Sequence, residues 1–203
     1  MREAFRFCKG LTNLSFLKDS TITTVGHSAF QGSGIAALWG MEGVRKIGAN
    51  AFANCEDLRT IEGLGCEEMG TCCFFRCTLL QSMKGWPASM TVIPALCFFK
   101  CTGMTTVDCD ISRVTSIEGH PVEGHAFAGC TSLLPPSLSA RDADPAAVLT
   151  FLKRKSFLER APMMRTLLCS LKQSHSSYYD RSGDPCGATR RIIMEFAGFF
   201  FPA

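Results

Sequence analysis

A phenylalanine, a cysteine and an aliphatic residue recur together in this chain, each three residues after the one before. The five complete copies are Phe5-x-x-Cys8-x-x-Leu11, Phe52-x-x-Cys55-x-x-Leu58, Phe74-x-x-Cys77-x-x-Leu80, Phe98-x-x-Cys101-x-x-Met104 and Phe127-x-x-Cys130-x-x-Leu133. A sixth copy, Phe30-x-x-Ser33, carries serine in place of cysteine. Successive phenylalanines are 25, 22, 22, 24 and 29 residues apart. A period in this range predicts a solenoid of stacked units.

The repeating unit extends on both sides of these three residues. Apolar anchors precede the phenylalanine by five residues at Val25, Ile47, Met69 and Ile93, and further apolar residues follow the aliphatic position at Leu14, Ile61, Met83 and Val107. A sustained spacing of three matches neither an amphipathic helix nor an alternating strand. It predicts a coil that turns a corner every few residues and points one side chain inward at each corner. Stacked coils then bury these side chains in one continuous core.

The full pattern resembles the BspA-type leucine-rich repeat. Its clearest copy runs from Val44 to Ile61, with the sequence V-R-K-I-G-A-N-A-F-A-N-C-E-D-L-R-T-I, and the resemblance covers roughly residues 2–136. It implies an α/β solenoid, an arc of about six coils with short parallel strands on its concave side. It also implies a binding role rather than catalysis, with no cofactor.

The repeat stops after Pro136, which divides the chain into three parts. We predict a repeat domain over 1–136, a linker over 137–143 and a helical cap or tail over 144–203. Asp144-Pro145 is a helix start signal, and it predicts a helix over about 145–160. Further helices are predicted to about residue 172 and over 190–201. Their default role is to cover the last coil, and the alternative is a partner-binding or membrane-surface helix.

The twelve cysteines allow three interpretations. A zinc site is disfavoured because Cys73 and Cys97 occupy the position of Ala51, and their spacing from the next repeat cysteine departs from the usual C-x₂-C. A disulfide ladder requires an oxidising compartment. The favoured interpretation is structural: the repeat cysteines are small buried residues whose S–H groups bond to backbone carbonyls at the coil corners. Ser33 fits this role, since a hydroxyl can donate the same bond.

An insert breaks the repeat between Ile117 and Phe127, where the anchor lies ten residues before the phenylalanine instead of five. Insertions in solenoids form loops on one face, often the binding face. The insert, 118–125, contains three side chains that could ligate a metal: His120, Glu123 and His125. The favoured alternative is a solvated loop without a metal.

Side chains beside the predicted strands are the candidates for contact with a partner. Trp39 and Trp86 follow the strand positions, and an exposed tryptophan there would be a typical hot-spot residue. The alternative is that each packs over the edge of a coil. The charged candidates are Arg59, Glu62, Lys84 and Asp108, whose mixed signs indicate no charge-selected ligand.

The sequence contains no recognisable nucleophile–base pair, P-loop or paired carboxylates, so we predict a chain without enzymatic activity. Its net charge of +3 and the lack of long basic runs or long apolar stretches predict no nucleic acid partner and no membrane span. The first hypothesis is a cytoplasmic scaffold that binds a partner protein through its concave face and the 118–125 insert. Self-association through the exposed N-terminal coil is a further expectation. The alternatives are a surface or adhesion protein, whose export signal this N-terminus does not show, and a thiol redox-responsive protein.

Overall fold

The computed structural model describes residues 2–17 and 20–157, and the described residues up to 156 form one compact unit. As predicted, the chain in this unit winds into a solenoid with short parallel strands. The strands are β1 (Thr24–Val25), β2 (Ala37–Leu38), β3 (Lys46–Ile47), β4 (Thr60–Glu62), β5 (Glu68–Met69), β6 (Ser82–Lys84), β7 (Val92–Ile93), β8 (Thr106–Val107) and β9 (Ser116–Ile117). A 3-10 turn, Ser15–Leu17, precedes them. A hairpin of β10 (Gly119–His120) and β11 (Gly124–His125) follows, and then the short helix α1 (Pro136–Ser139).

The second to fifth coils each contribute two strands, one to each of two separate stacks. One stack is the four-stranded parallel sheet β2-β4-β6-β8. The other consists of β1-β3-β5 and, separately, β7-β9. Paired residues occupy the same repeat position, as in Ile61 opposite Met83 and Val25 opposite Ile47. The repeat therefore sets the register, because a slip by one residue would turn every buried side chain outward.

A column of stacked phenylalanine rings runs through the core. Neighbouring ring centroids are 5.3, 5.4, 5.6, 5.5 and 5.1 Å apart, and the ring planes are within 16° of parallel. The column consists of Phe5, Phe30, Phe52, Phe74, Phe98 and Phe127. The last four are completely buried. Such offset stacks of aromatic rings contribute about 0.5–1.5 kcal/mol per pair beyond the area that they bury.

The repeat cysteines bond to the backbone as predicted. The thiols of Cys55, Cys77, Cys101 and Cys130 each donate to the carbonyl of the core phenylalanine one coil earlier, at 3.2, 3.2, 3.1 and 3.0 Å. Ser33 differs from the prediction, because the hydroxyl contact found there is with Cys55 Sγ, at 3.5 Å. Cys8 also differs, since it lies in the first coil and is exposed.

The turns around each core phenylalanine form a third stack. Two positions in these turns, two residues before and two after the phenylalanine, have φ near +55° in most coils. The backbone N–H groups at these positions donate to carbonyls of the next coil, for example Asn54 N to Phe75 O at 2.7 Å and Arg76 N to Phe99 O at 2.8 Å. The left-handed conformation thus lets the turns of adjacent coils form hydrogen bonds along the solenoid axis, although the turns contain no β-strands.

The glycine that follows the apolar anchor lies close to the backbone of the coil before it. A Cβ atom on Gly70 would lie 2.3 Å from the backbone nitrogen of Ala49 in the coil before it. Real Cβ atoms do not approach a backbone so closely, so a side chain at this position would push the coils apart.

The segment after the last coil packs against it. The carbonyl of Ser139 accepts a hydrogen bond from Gly129 N at 2.8 Å, in the place that the next coil would fill. The predicted linker, 137–143, is thus packed at its start, and its boundaries remain a prediction. Residues 145–157 are helical, in agreement with the predicted helix as far as the structure describes it, and Val148, Leu149 and Leu152 join the main core. The helices predicted beyond residue 160 lie outside the described residues.

Candidate functional site

The outer face of the four-stranded sheet carries most of the side chains that the sequence singled out for partner contact. The inward residues Leu38, Ile61, Met83 and Val107 are buried, so the residues on either side of each point outward. Thr60, Ser82 and Thr106 form an uncharged row in register across β4, β6 and β8. This outer face is therefore polar but bears few charges at its centre.

A second outward row, which we call the Trp39 row, lies one position beyond the buried residues. It consists of Trp39, Glu62, Lys84 and Asp108. Glu62 and Lys84 are paired in register, and their side chains form an ion pair at 3.0 Å. Trp39 and Asp108 directly follow β2 and β8, so they extend the row on either side. The structure thus brings four of the six partner-binding candidates together, and Trp39 is 41% exposed.

Arg59 belongs to a different row. Its N–H donates to the carbonyl of Ala36 at 2.8 Å, and its carbonyl accepts from Gln81 N at 2.8 Å. These bonds place Arg59 at the start of its strand, on the other side of the threonine–serine row from the Trp39 row. It is exposed, but it does not adjoin Trp39.

Trp86 is not on the surface, and the prediction that it faces a partner is wrong. The side chain is 6% exposed, and its indole N–H donates to the carbonyl of Met90 at 3.0 Å. Its ring centroid lies 6.4 Å from that of Phe98. A signal for this burial was present in the sequence: Trp86 comes three residues after Met83, as Leu64 comes three residues after Ile61. The three-residue spacing continues past the strand.

The insert forms a hairpin in which His125 serves the fold. Gly119 pairs with His125 and His120 with Gly124, in antiparallel register. His125 is 1% exposed; its Nδ1 accepts from Phe127 N at 3.2 Å, so its Nε2 carries the proton and donates to the carbonyl of Ala140, also at 3.2 Å. Burial lowers its pKa, partly offset by this carbonyl and that of Leu138.

These bonds correct the metal hypothesis at His125, since neither ring nitrogen is open to a metal. His120 Nδ1 accepts from the backbone N–H groups of Val122 and Glu123, which shape the tip of the hairpin. In the described part of the chain, no three His, Cys, Asp or Glu side chains are grouped so that they could hold a metal ion. The exposed tip instead presents Val122, at 61% exposure.

Burial makes the core thiols poor nucleophiles. It raises the pKa of Cys66 to about 11 and that of Cys130 to about 12, and it raises the pKa of Cys77 well above its usual value. Reactive cysteines have lowered pKa values, because the thiolate is the reacting species. All ten cysteines among the described residues are free thiols. This chemistry suits the structural role of the buried thiols.

Comparison with known proteins agrees with this geometry. The model of the BspA type leucine rich repeat region matches residues 1–134 in six copies. No curated protein and no solved structure matches the chain. None of the helices in the described residues has both the length and the apolar character needed to cross a bilayer. With two-thirds of its length matched by six copies of this repeat, the chain belongs to the BspA-type leucine-rich-repeat family.

Proposed function

We propose that this chain is a non-catalytic scaffold that binds a partner protein through the outer face of the four-stranded sheet. The observation that carries the proposal is the Trp39 row, in which an exposed tryptophan lies beside alternating charges from three further coils. Large aromatic residues dominate the binding energy of protein interfaces. Leucine-rich-repeat solenoids are typically non-catalytic, which supports a binding role.

The charges of the row fit a role in selecting the partner. Glu62 and Lys84 neutralise each other and are about half exposed, so their ion pair adds little to stability. Exposed charges on an interface mainly select the partner and its orientation. The exposed tip of the 119–125 hairpin supplies a second contact in this proposal.

The test is a capture experiment with the tagged chain, in which bound proteins are quantified by mass spectrometry. The variant Trp39→Ala/Lys84→Ala removes the exposed tryptophan and one charge of the Trp39 row. The matched control, Arg45→Ala/Glu67→Ala, removes an exposed ion pair from the other stack of strands. We expect a defined set of proteins to be lost from the first variant and kept by the control. The proposal would be contradicted if the unmodified chain, the variant and the control all captured the same proteins in equal amounts.

A further inference from the structure

A second surface lies on the turns of the fourth and fifth coils, away from the Trp39 row. Leu96, Phe99 and Ala128 form a small apolar cluster separate from the main core, with Cys72 and Phe75 packed against it. The rings of Phe75 and Phe99 are stacked at 5.1 Å. Each ring also lies near the cation of the following residue, Arg76 at 5.3 Å and Lys100 at 5.2 Å. We call Phe75, Arg76, Phe99 and Lys100 the turn patch.

Like charges are stacked in the turn patch, unlike in the ion-paired rows. Arg76 N donates to the carbonyl of Phe99, so Arg76 lies beside Lys100 of the next coil. Stacked residues at other outward positions pair opposite charges: Arg45 with Glu67, Lys46 with Glu68, and Lys84 with Glu62. Arg76 and Lys100, both exposed, form no ion pair with a carboxylate of residues 2–17 or 20–157. Two adjacent cations with no ion-paired carboxylate among the described residues create a site of positive potential.

The backbone of these two coils adopts the left-handed conformation with residues that do not favour it. The values of φ are +57° at Cys72, +55° at Arg76, +56° at Leu96 and +55° at Lys100. The corresponding positions of the third coil are occupied by Asn50 and Asn54, and asparagine tolerates this conformation better. Glu3 and Phe7 of the first coil have the same conformation, with φ of +55° and +58°, so the conformation belongs to the repeat. Asparagine in place of Arg76 and Lys100 therefore suits the backbone of these turns.

We propose that the turn patch binds an acidic polypeptide segment, with carboxylates on Arg76 and Lys100 and an apolar side chain against the half-buried Phe75. When the flat face of a guanidinium lies over an aromatic ring, the N–H groups at its edge can still donate hydrogen bonds to a carboxylate. Single-stranded nucleic acid binds by stacking bases on open aromatic rings. Here, Phe99 is buried, and the half-buried Phe75 already stacks on Phe99 and lies near the Arg76 guanidinium. Anionic lipid recognition typically uses about four to eight clustered basic residues, and this patch has two.

The test is fluorescence anisotropy with a fluorescein-labelled peptide of ten glutamates. The variant Arg76→Asn/Lys100→Asn removes both cations and places at both sites the residue found at the equivalent Asn54, so the turns are expected to fold normally. The matched control, Arg45→Gln/Lys46→Gln, removes the same net charge from another face. We expect the first variant to bind the peptide at least tenfold more weakly at 50 mM salt, and the control to bind within twofold of the unmodified chain.

Three outcomes would overturn the proposal. The first is unchanged binding by Arg76→Asn/Lys100→Asn. The second is an equal loss in both variants, which would show that only net charge matters. The third comes from two parallel titrations, with labelled ten-residue oligothymidine and with phosphatidylserine-containing vesicles. Tighter binding of either one, lost in the same variant, would assign the turn patch to that ligand instead.

Discussion

Replacing Cys77 separates the hydrogen-bonding role of a corner cysteine from its packing role. Cys77 is completely buried, and its thiol donates to the carbonyl of Phe52 at 3.2 Å. Burial raises the pKa of this thiol well above 9, so it remains a protonated donor at neutral pH. We compare Cys77→Ala, which removes the donor and the sulfur, with Cys77→Ser, which keeps a donor of smaller size.

The structure sets the size of the expected effect. The carbonyl of Phe52 also accepts from Cys55 N at 3.3 Å, so loss of the thiol does not leave it unpaired. The lost hydrogen bond therefore contributes about 0.5–1.5 kcal/mol, and the lost volume in the packed core contributes about 1 kcal/mol. We expect Cys77→Ala to lower the free energy of unfolding by about 1.5–2.5 kcal/mol. Cys77→Ser should lose about 1 kcal/mol less, because the hydroxyl replaces the donor.

Urea denaturation followed by circular dichroism measures both losses, provided that the slope of the transition is the same for each variant. Cys73 is the matched control, since it is equally buried in the same coil but occupies the position of Ala51, where no donor is needed. At Cys73 the order of stability should reverse. Cys73→Ser should have a lower free energy of unfolding than Cys73→Ala, because a buried hydroxyl without a partner is destabilising. A serine variant at Cys77 that is as unstable as the alanine variant would refute the hydrogen-bonding role.

Three further predictions concern stability. Trp86→Ala should lower the free energy of unfolding by about 3–5 kcal/mol and Trp39→Ala by less than about 1 kcal/mol, as measured by urea denaturation. Glu67→Arg should destabilise by about 0.5–1 kcal/mol through like-charge stacking with Arg45, and adding Arg45→Glu should restore the thermal midpoint. Burial raises the pKa of Cys130 to about 12, whereas the unfolded thiol titrates near pH 9. The unfolded state thus loses this proton first, and stability should fall between about pH 9 and 12, with Cys130 alone contributing roughly 1.4 kcal/mol per pH unit that Cys130→Ala removes.

The inward positions could be predicted from the sequence because each repeats at a fixed place in every coil. The stacked phenylalanines, the corner thiols and the buried residues of the four-stranded sheet all follow from the three-residue spacing. The same spacing marks Trp86, which lies where other coils have Met41 and Leu64. Position in the repeat predicts its burial, whereas residue type alone suggests an exposed contact residue.

The remaining features depend on contacts that the repeat does not specify. The hairpin at 119–125 forms because His125 is held by the backbone of Phe127 and Ala140, and Ala140 lies in a segment without the repeat. The second stack of strands needs only two residues per coil, which is too short for an alternating pattern to be visible. The left-handed turns occur at residues such as Arg76 and Lys100, whose types do not indicate that conformation.

Stacking also changes how surface charge must be interpreted in this chain. Equivalent residues of adjacent coils lie about 4.8 Å apart, closer than the Debye length of about 8 Å at physiological salt. The relevant neighbours of a charge are therefore the residues one repeat away, not those next to it in sequence. Arg45-Lys46 and Glu67-Glu68 look like local runs of one sign along the chain, but across coils they neutralise each other. Arg76 and Lys100 are 24 residues apart and look isolated, yet they form an adjacent pair of like charges. Specificity for a charged ligand in a solenoid therefore depends on the sign pattern along each row of stacked positions.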